Sequence, residues 1–220
     1  MKAFASICLA TAIVALPQNA LAEPEAPSLD LSIVRGVNTL GSPALDAPMG
    51  LLSNNVFLLG APLALAVAAD HTTFKAPAAA FVAEGLAGMS VMLIKPLFER
   101  PRPFAADPSL RTPSGKWETD PNSFPSGHAA VSFAAATAIA DARPDYAWPA
   151  YGLAALISYS RMYNGVHYPT DLLAGALLGY GAGKVTTWGM SQVTDRLGWP
   201  ISGKVVPGSD ALTFGFARQF

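Results

Sequence analysis

Apolar residues along this chain gather into long runs and rarely alternate with polar ones. Residues 51–69, 77–98, 126–140, 147–160 and 169–189 are each almost continuously apolar, small or aromatic. Runs of this length exceed a buried strand and predict helices. Pro77 and Pro169 stand at run starts, where a first-turn proline costs no hydrogen bond. Ser126 can cap the third run. Residues 29–41 space their apolar positions at a roughly helical interval and predict a short amphipathic helix. Residues 42–50, with two prolines and Gly50, predict a turn. Residues 99–125 carry six prolines and most of the charge between the helices, and predict a long connection. In the tail, Val205-Val206, then Pro-Gly-Ser-Asp, then alternating Leu212, Phe214 and Phe216 predict a β-hairpin. The expected fold class is all-α: a bundle of five to six mostly apolar helices with a short C-terminal hairpin and no internal repeat.

Composition sharpens this picture. Charged residues are 13% of the chain, about half the usual share of a soluble protein. Small residues recur on one face of the last helix, where Gly175, Gly179 and Gly183 are four apart and permit close helix contact. Both features suit membrane-associated helices, although several runs fall short of a full span. The formal net charge of −1 gives no broad footprint for nucleic acid.

Residues 1–22 look like an export signal: Lys2, an apolar stretch from Ile7 to Leu16, and Ala20-Leu21-Ala22 as a small-x-small cleavage site. Cys8, the single cysteine, lies inside it, so the mature chain would have no disulfide or thiolate chemistry. The expected division is a signal peptide (1–22), a lead-in with the amphipathic helix (23–50), the helical bundle (51–190) and the tail (191–220).

The candidate chemistry sits where polar groups interrupt the apolar runs. In residues 160–171, Arg161, His167 and Asp171 are embedded in apolar and aromatic sequence, where buried polar groups need partners. The carboxylate of Asp171 can hold one ring nitrogen of His167 and leave the other free. By itself this reads equally as a structural pair. His71 reads as a loop residue, and Glu84, inside the second run, as a structural hydrogen-bonding group. Up-down packing brings the end of the second helix, the start of the third, the end of the fourth and the start of the fifth to one end of the bundle. Lys95, Arg102, Ser126, Gly127, His128, Arg161, His167 and Asp171 then converge. Three cations beside a helix N-terminus suit a small multivalent anion, most naturally phosphate. Two histidines suit a nucleophile and an acid/base. The sequence contains no carboxylate cluster of the kind that holds magnesium or zinc, so a metal is not required.

Lys95, six residues, Arg102-Pro103; then Pro125-Ser126-Gly127-His128; then Ser160-Arg161, five residues, His167, three residues, Asp171: this three-part pattern resembles the signature of the type 2 phosphatidic acid phosphatase (PAP2) superfamily. That group includes acid phosphatases, lipid phosphate phosphatases and vanadium haloperoxidases. The resemblance covers roughly residues 50–190 and implies a PAP2-like catalytic bundle. It implies that His167 attacks phosphorus and forms a phosphohistidine, that Asp171 orients His167, and that His128 is the general acid and base. Lys95, Arg102, Ser126, Gly127 and Arg161 would bind the phosphoryl group. Arg100 lies outside the signature and reads as a rim charge. The expected activity is a metal-independent phosphatase acting on a phosphomonoester or diphosphate, above all a lipid phosphate of the cell envelope, with the site facing the periplasm. The alternatives are a soluble periplasmic acid phosphatase of broad specificity and, further off, a vanadate-dependent haloperoxidase. No cofactor is expected, although vanadate could bind as a phosphate mimic. The expected partners are a phosphorylated small molecule or lipid and a membrane, with no nucleic acid and no obligate protein partner.

Overall fold

The computed structural model describes residues 28–54, 75–113 and 120–197. Among them are seven α-helices and no strand: α1 (Leu29–Thr39), α2 (Pro43–Asn54), α3 (Lys75–Ile94), α4 (Pro103–Ala106), α5 (Gly127–Ala142), α6 (Ala147–Tyr163) and α7 (Pro169–Leu197). The fold is all-α, as the apolar runs predict. The export signal, most of the run 51–69, His71, residues 114–119 and the C-terminal hairpin lie outside the described residues.

Helix α5 is the centre of the bundle and packs against α3, α6 and α7. Its Ala129, Ala130, Ala134 and Ala138 are fully buried. The α5–α7 contact is the most extensive of all helix pairs, and the glycine stripe explains its closeness. A methyl group on Gly179 would lie 2.1 Å from the Ala130 carbonyl oxygen, and one on Gly175 would lie 2.4 Å from that of Ser126. Backbone therefore meets backbone along this seam, where dispersion contacts are dense.

Helix α3 inverts the usual arrangement of a soluble helix. Ala76, Ala79, Ala80, Ala83, Ala87 and Val91 face the core, while Phe81, Met89, Met92 and Leu93 are mostly exposed. Small residues let α3 approach α5 and α7, and the large apolar ones point outward. Ala76–Leu97 is the one stretch among the described residues long and apolar enough to cross a membrane. Glu84 is part-buried within it.

The expected turn at 42–50 is instead helical. Pro43 opens α2 and Pro48 lies within it. Pro43 occupies a position that needs no amide hydrogen, and Pro48 removes only one bond of the ladder. Side-chain ties stabilise the helix: Asp46 accepts from the Tyr163 hydroxyl at 2.7 Å and from Arg111 at 2.7 Å.

Helix α1 is also tied to the bundle. Ser28 caps it, accepting from the Leu31 amide. The Asn38 side chain donates to the carbonyls of Arg111 and Tyr163 and accepts from the Arg111 amide, each within 3.0 Å. Arg35 donates to Asp107 at 2.6 Å. These bonds hold the N-terminal helices against the end of the bundle where the signature residues lie.

Candidate active site

The signature residues occupy the junctions at one end of the bundle. Helix α3 ends in a 3-10 turn over Lys95–Leu97, and α5 begins one residue after Ser126, whose hydroxyl accepts from the Ala129 amide. The peptide bond before Pro125 is cis. Helix α6 closes at Tyr163, and Gly165 turns the chain with a φ of 66°, a left-handed value that glycine adopts without strain. Cross-links join these junctions. The Ser126 amide donates to the Asp171 carbonyl at 3.1 Å, and the Phe104 amide to the Gly165 carbonyl at 3.0 Å.

His167 sits at the middle, buried with 2% exposure. Its Nδ1 lies 3.5 Å from Asp171 Oδ2, and its Nε2 lies 3.4 Å from Arg102 Nη1. One ring nitrogen therefore faces a carboxylate and the other a guanidinium. That arrangement fits the tautomer with its proton on Nδ1 and the lone pair of Nε2 turned toward the cation. Asp171, in the first turn of α7, is fully buried, and its Oδ2 accepts from the Tyr168 amide at 2.8 Å.

Arg102 is buried and fixed by two carbonyls: Nε donates to Asp120 at 2.9 Å and Nη1 to Val166 at 3.0 Å. Lys95 is drawn to the same loop and pairs with the Asp120 carboxylate at 2.9 Å. Both cations thus have Asp120 as a neighbour. His128 is part-buried in the first turn of α5, two residues beyond Ser126. A methyl group on Gly127 would meet only Val91, at 3.7 Å, so space beside its backbone is open. The structure therefore groups Lys95, Arg102, Ser126, His167 and Asp171 through described contacts, with Gly127 and His128 on the adjoining turn. Arg161 is buried, and its described partners lie on α2: Nη1 donates to the Ser53 carbonyl at 2.8 Å and to the Ser53 hydroxyl at 2.6 Å.

Arg100 is not a rim charge. Its side chain is only 11% exposed and donates from Nη1 to Asp171 Oδ1 at 2.7 Å. The reason is electrostatic: a fully buried carboxylate requires a counter-charge, and Arg100 is the cation that reaches it. Sequence reading also passed over Asp30, Asp120 and Ser53. Their only signals were Arg100 lying between Lys95 and Arg102, and Asp30 as the lone acid of the amphipathic helix.

A sequence profile described as the PAP2 superfamily matches residues 76–195, more than half of the chain. The chain belongs to the PAP2 superfamily. The matched region runs from α3 through α7 and contains all three parts of the signature. Among other members, an undecaprenyl-diphosphatase of Sulfolobus acidocaldarius is 46% identical over 59 residues, 26% of this chain and 28% of that protein. A lipid A 1-phosphatase of Porphyromonas gingivalis is 36% identical over 74 residues, 32% of this chain and 17% of that protein. This chain thus matches less than a third of the length of either relative. The crystal structure of Aquifex aeolicus LpxE superposes with a TM-score of 0.60 at 27% identity, covering 73% of this chain and 96% of that one. The bundle described above is therefore a PAP2 bundle. Among the described residues, no group of three or more His, Cys, Asp or Glu side chains is placed to hold a metal ion.

Proposed function

We propose that this PAP2 protein is a phosphatase that removes phosphate from a lipid phosphate or diphosphate without a metal, through a phosphohistidine on His167. The observation that carries the reading is the polarity across His167, with Asp171 at Nδ1 and Arg102 at Nε2. A nucleophilic nitrogen aimed beside a phosphate-binding cation is what in-line attack on phosphorus needs.

In the first step the Nε2 lone pair forms the N–P bond while the bond from phosphorus to the leaving oxygen breaks. His128 gives its proton to that oxygen. In the second step His128 takes a proton from water, the water oxygen bonds to phosphorus, and the N–P bond breaks. Asp171 stabilises the positive charge that His167 acquires. Lys95, Arg102 and Arg161 neutralise the phosphoryl oxygens, and the Ser126 hydroxyl and Gly127 amide add donors. Because the Ser126 oxygen caps α5 as an acceptor, its own hydrogen remains available to a phosphate oxygen.

Two observations favour a lipid substrate. The outward face of α3 is apolar, with Phe81 at 77% exposure and Met92 at 76%, a pattern suited to hydrocarbon. The relatives named above act, by their names, on undecaprenyl diphosphate and lipid A. The export-type pattern of residues 1–22 supports a site on the periplasmic side of a membrane.

A substrate panel on detergent-solubilised full-length protein tests this reading. It runs from p-nitrophenyl phosphate to phosphatidic acid, phosphatidylglycerol phosphate and undecaprenyl diphosphate, with EDTA present. We expect phosphate release from at least one lipid, at a kcat/KM above that for p-nitrophenyl phosphate. A kcat/KM for p-nitrophenyl phosphate equal to or above that for every lipid would favour a broad acid phosphatase. No release from any member would overturn the proposal.

A further inference from the structure

The strongest feature outside the signature is a relay of charges behind Asp171. Arg100 Nη1 donates to Asp171 Oδ1 at 2.7 Å and to Thr170 Oγ1 at 2.7 Å. Arg100 Nη2 donates to Asp30 Oδ2, on α1, at 2.6 Å. Asp30 also accepts from the Thr170 hydroxyl and, at 3.3 Å, from the Thr170 amide. The guanidinium lies over the Tyr168 ring, 3.9 Å from its centroid. Arg100 is therefore held on three sides: by a buried carboxylate, a second carboxylate from another helix, and an aromatic face.

We propose that Arg100 is a positioning residue for the phosphoryl-transfer reaction, keeping Asp171 ionised and its Oδ2 turned toward His167, with Asp30 of α1 as the anchor that holds Arg100 in place. The proposal rests on the phosphatase reading above.

The geometry supplies the reason. Asp171 uses Oδ1 for Arg100 and Oδ2 for the Tyr168 amide and the His167 side. With Oδ1 fixed, the carboxylate cannot rotate Oδ2 away from the imidazole. The groups facing Asp171 are Arg100 from the loop after α3, and His167 and Tyr168 from the turn before α7. The Ser123 hydroxyl faces it from the loop before α5, and Asp30 lies one bond further out. Asp171 lies outside the one stretch that, among the described residues, is suited to span a membrane. Burial pushes its carboxyl above the usual range, and Arg100 is the charge that opposes this. Without Arg100, Asp171 would take up a proton at higher pH and lose its hold on the imidazole.

The test uses full-length protein and three variants: Arg100→Gln, Arg100→Lys and Asp30→Asn. R100Q should lower kcat by about 10- to 100-fold, the range seen when partners that orient a histidine are removed. KM should change little, because the Arg100 guanidinium is engaged by Asp171, Thr170 and Asp30. The acid limb of the kcat profile should move to higher pH, since more Asp171 is protonated at a given pH. R100K keeps the charge but not the fork, so it should restore the acid limb while leaving kcat reduced. D30N should lower kcat less than R100Q, because Arg100 keeps its own bonds to Asp171 and Thr170.

A merely structural role would lower the yield of folded protein and leave the pH profile of the folded fraction unchanged; that result overturns the proposal. So does a rise in KM with kcat unaltered, which would make Arg100 a substrate ligand. Histidine ¹⁵N NMR reads the same coupling without turnover. The Nδ1–H tautomer of His167 should dominate in the wild type, and the Nε2–H tautomer should gain in R100Q. Unchanged tautomers in R100Q contradict the proposal. An inactive wild type whose tautomers still shift would instead count against the phosphatase reading alone.

Discussion

Ion pairs tie the ionised side chains at the site end to neighbouring elements. Lys95 and Arg102 share the Asp120 loop, Arg100 bridges Asp171 and Asp30, and Arg35 meets Asp107. The Asp107 carboxyl also accepts from the Ser109 hydroxyl at 2.6 Å and its amide at 3.0 Å. These Ser109 bonds, followed by Arg35, hold the carboxyl down at about 2. The folded pKa is depressed, so the stabilisation is fully present above the unfolded value near 4 and is lost as pH falls through about 2. Unfolding of the wild type and of Asp107→Asn should therefore differ by a constant amount at neutral and mildly acidic pH, and the gap should close toward pH 2. Denaturant titrations across that range check it. A gap that stays open at the lowest pH would mean that α1 is anchored there by something other than this carboxylate.

The glycine seam between α5 and α7 carries the geometry of the site. It sets where α5 begins relative to Asp171, through the bond from the Ser126 amide to the Asp171 carbonyl. Gly179→Ala would press a methyl group on backbone, 2.1 Å from the Ala130 oxygen, where no side chain can move aside. The expected cost is about 1–3 kcal/mol of stability, the usual range for overpacking. Gly181→Ala, with nothing within 4 Å of its added carbon, should be stabilising by up to about 1 kcal/mol, the helix-propensity gain of alanine over glycine. Thermal unfolding of the two variants in the same detergent compares them, and equal stability would refute close backbone packing as the reason for the stripe.

The helices most legible in the sequence were those whose boundaries carry local chemistry. Ser126 and Pro169 marked the starts of α5 and α7 because caps and first-turn prolines act within a few residues. Helix α2 was misread, since Pro43, Pro48 and Gly50 outweighed its apolar positions. The ties that settle it, from Asp46 to Arg111 and from Ser53 to Arg161, span long separations that no local pattern records. Arg100 was misread for the same reason: its burial depends on Asp30 and Asp171, each about seventy residues away in the chain. The signature positions were legible because polar residues at fixed spacing interrupt otherwise apolar runs.

At the scale of the whole molecule, the bundle separates two surfaces. The helix flanks expose large apolar side chains, including Met89, Met92 and Leu93 on α3, and Leu173 and Trp188 on α7. Lys95, Arg102, His128 and His167 gather at one end. In the proposed reaction, a lipid with its tail along the flank presents its phosphate to that end, beside His167. The proposed reaction depends on His167 supplying the nitrogen that bonds to phosphorus. The most direct test is to trap it. In His128→Ala, p-nitrophenyl phosphate should still phosphorylate the protein, because p-nitrophenolate departs without a proton donor. Release of phosphate should slow, because water lacks its base. Alkaline quenching followed by peptide mass analysis should then find one phosphate on His167. Phosphate on another side chain, or steady turnover with His167 unmodified, would contradict the account.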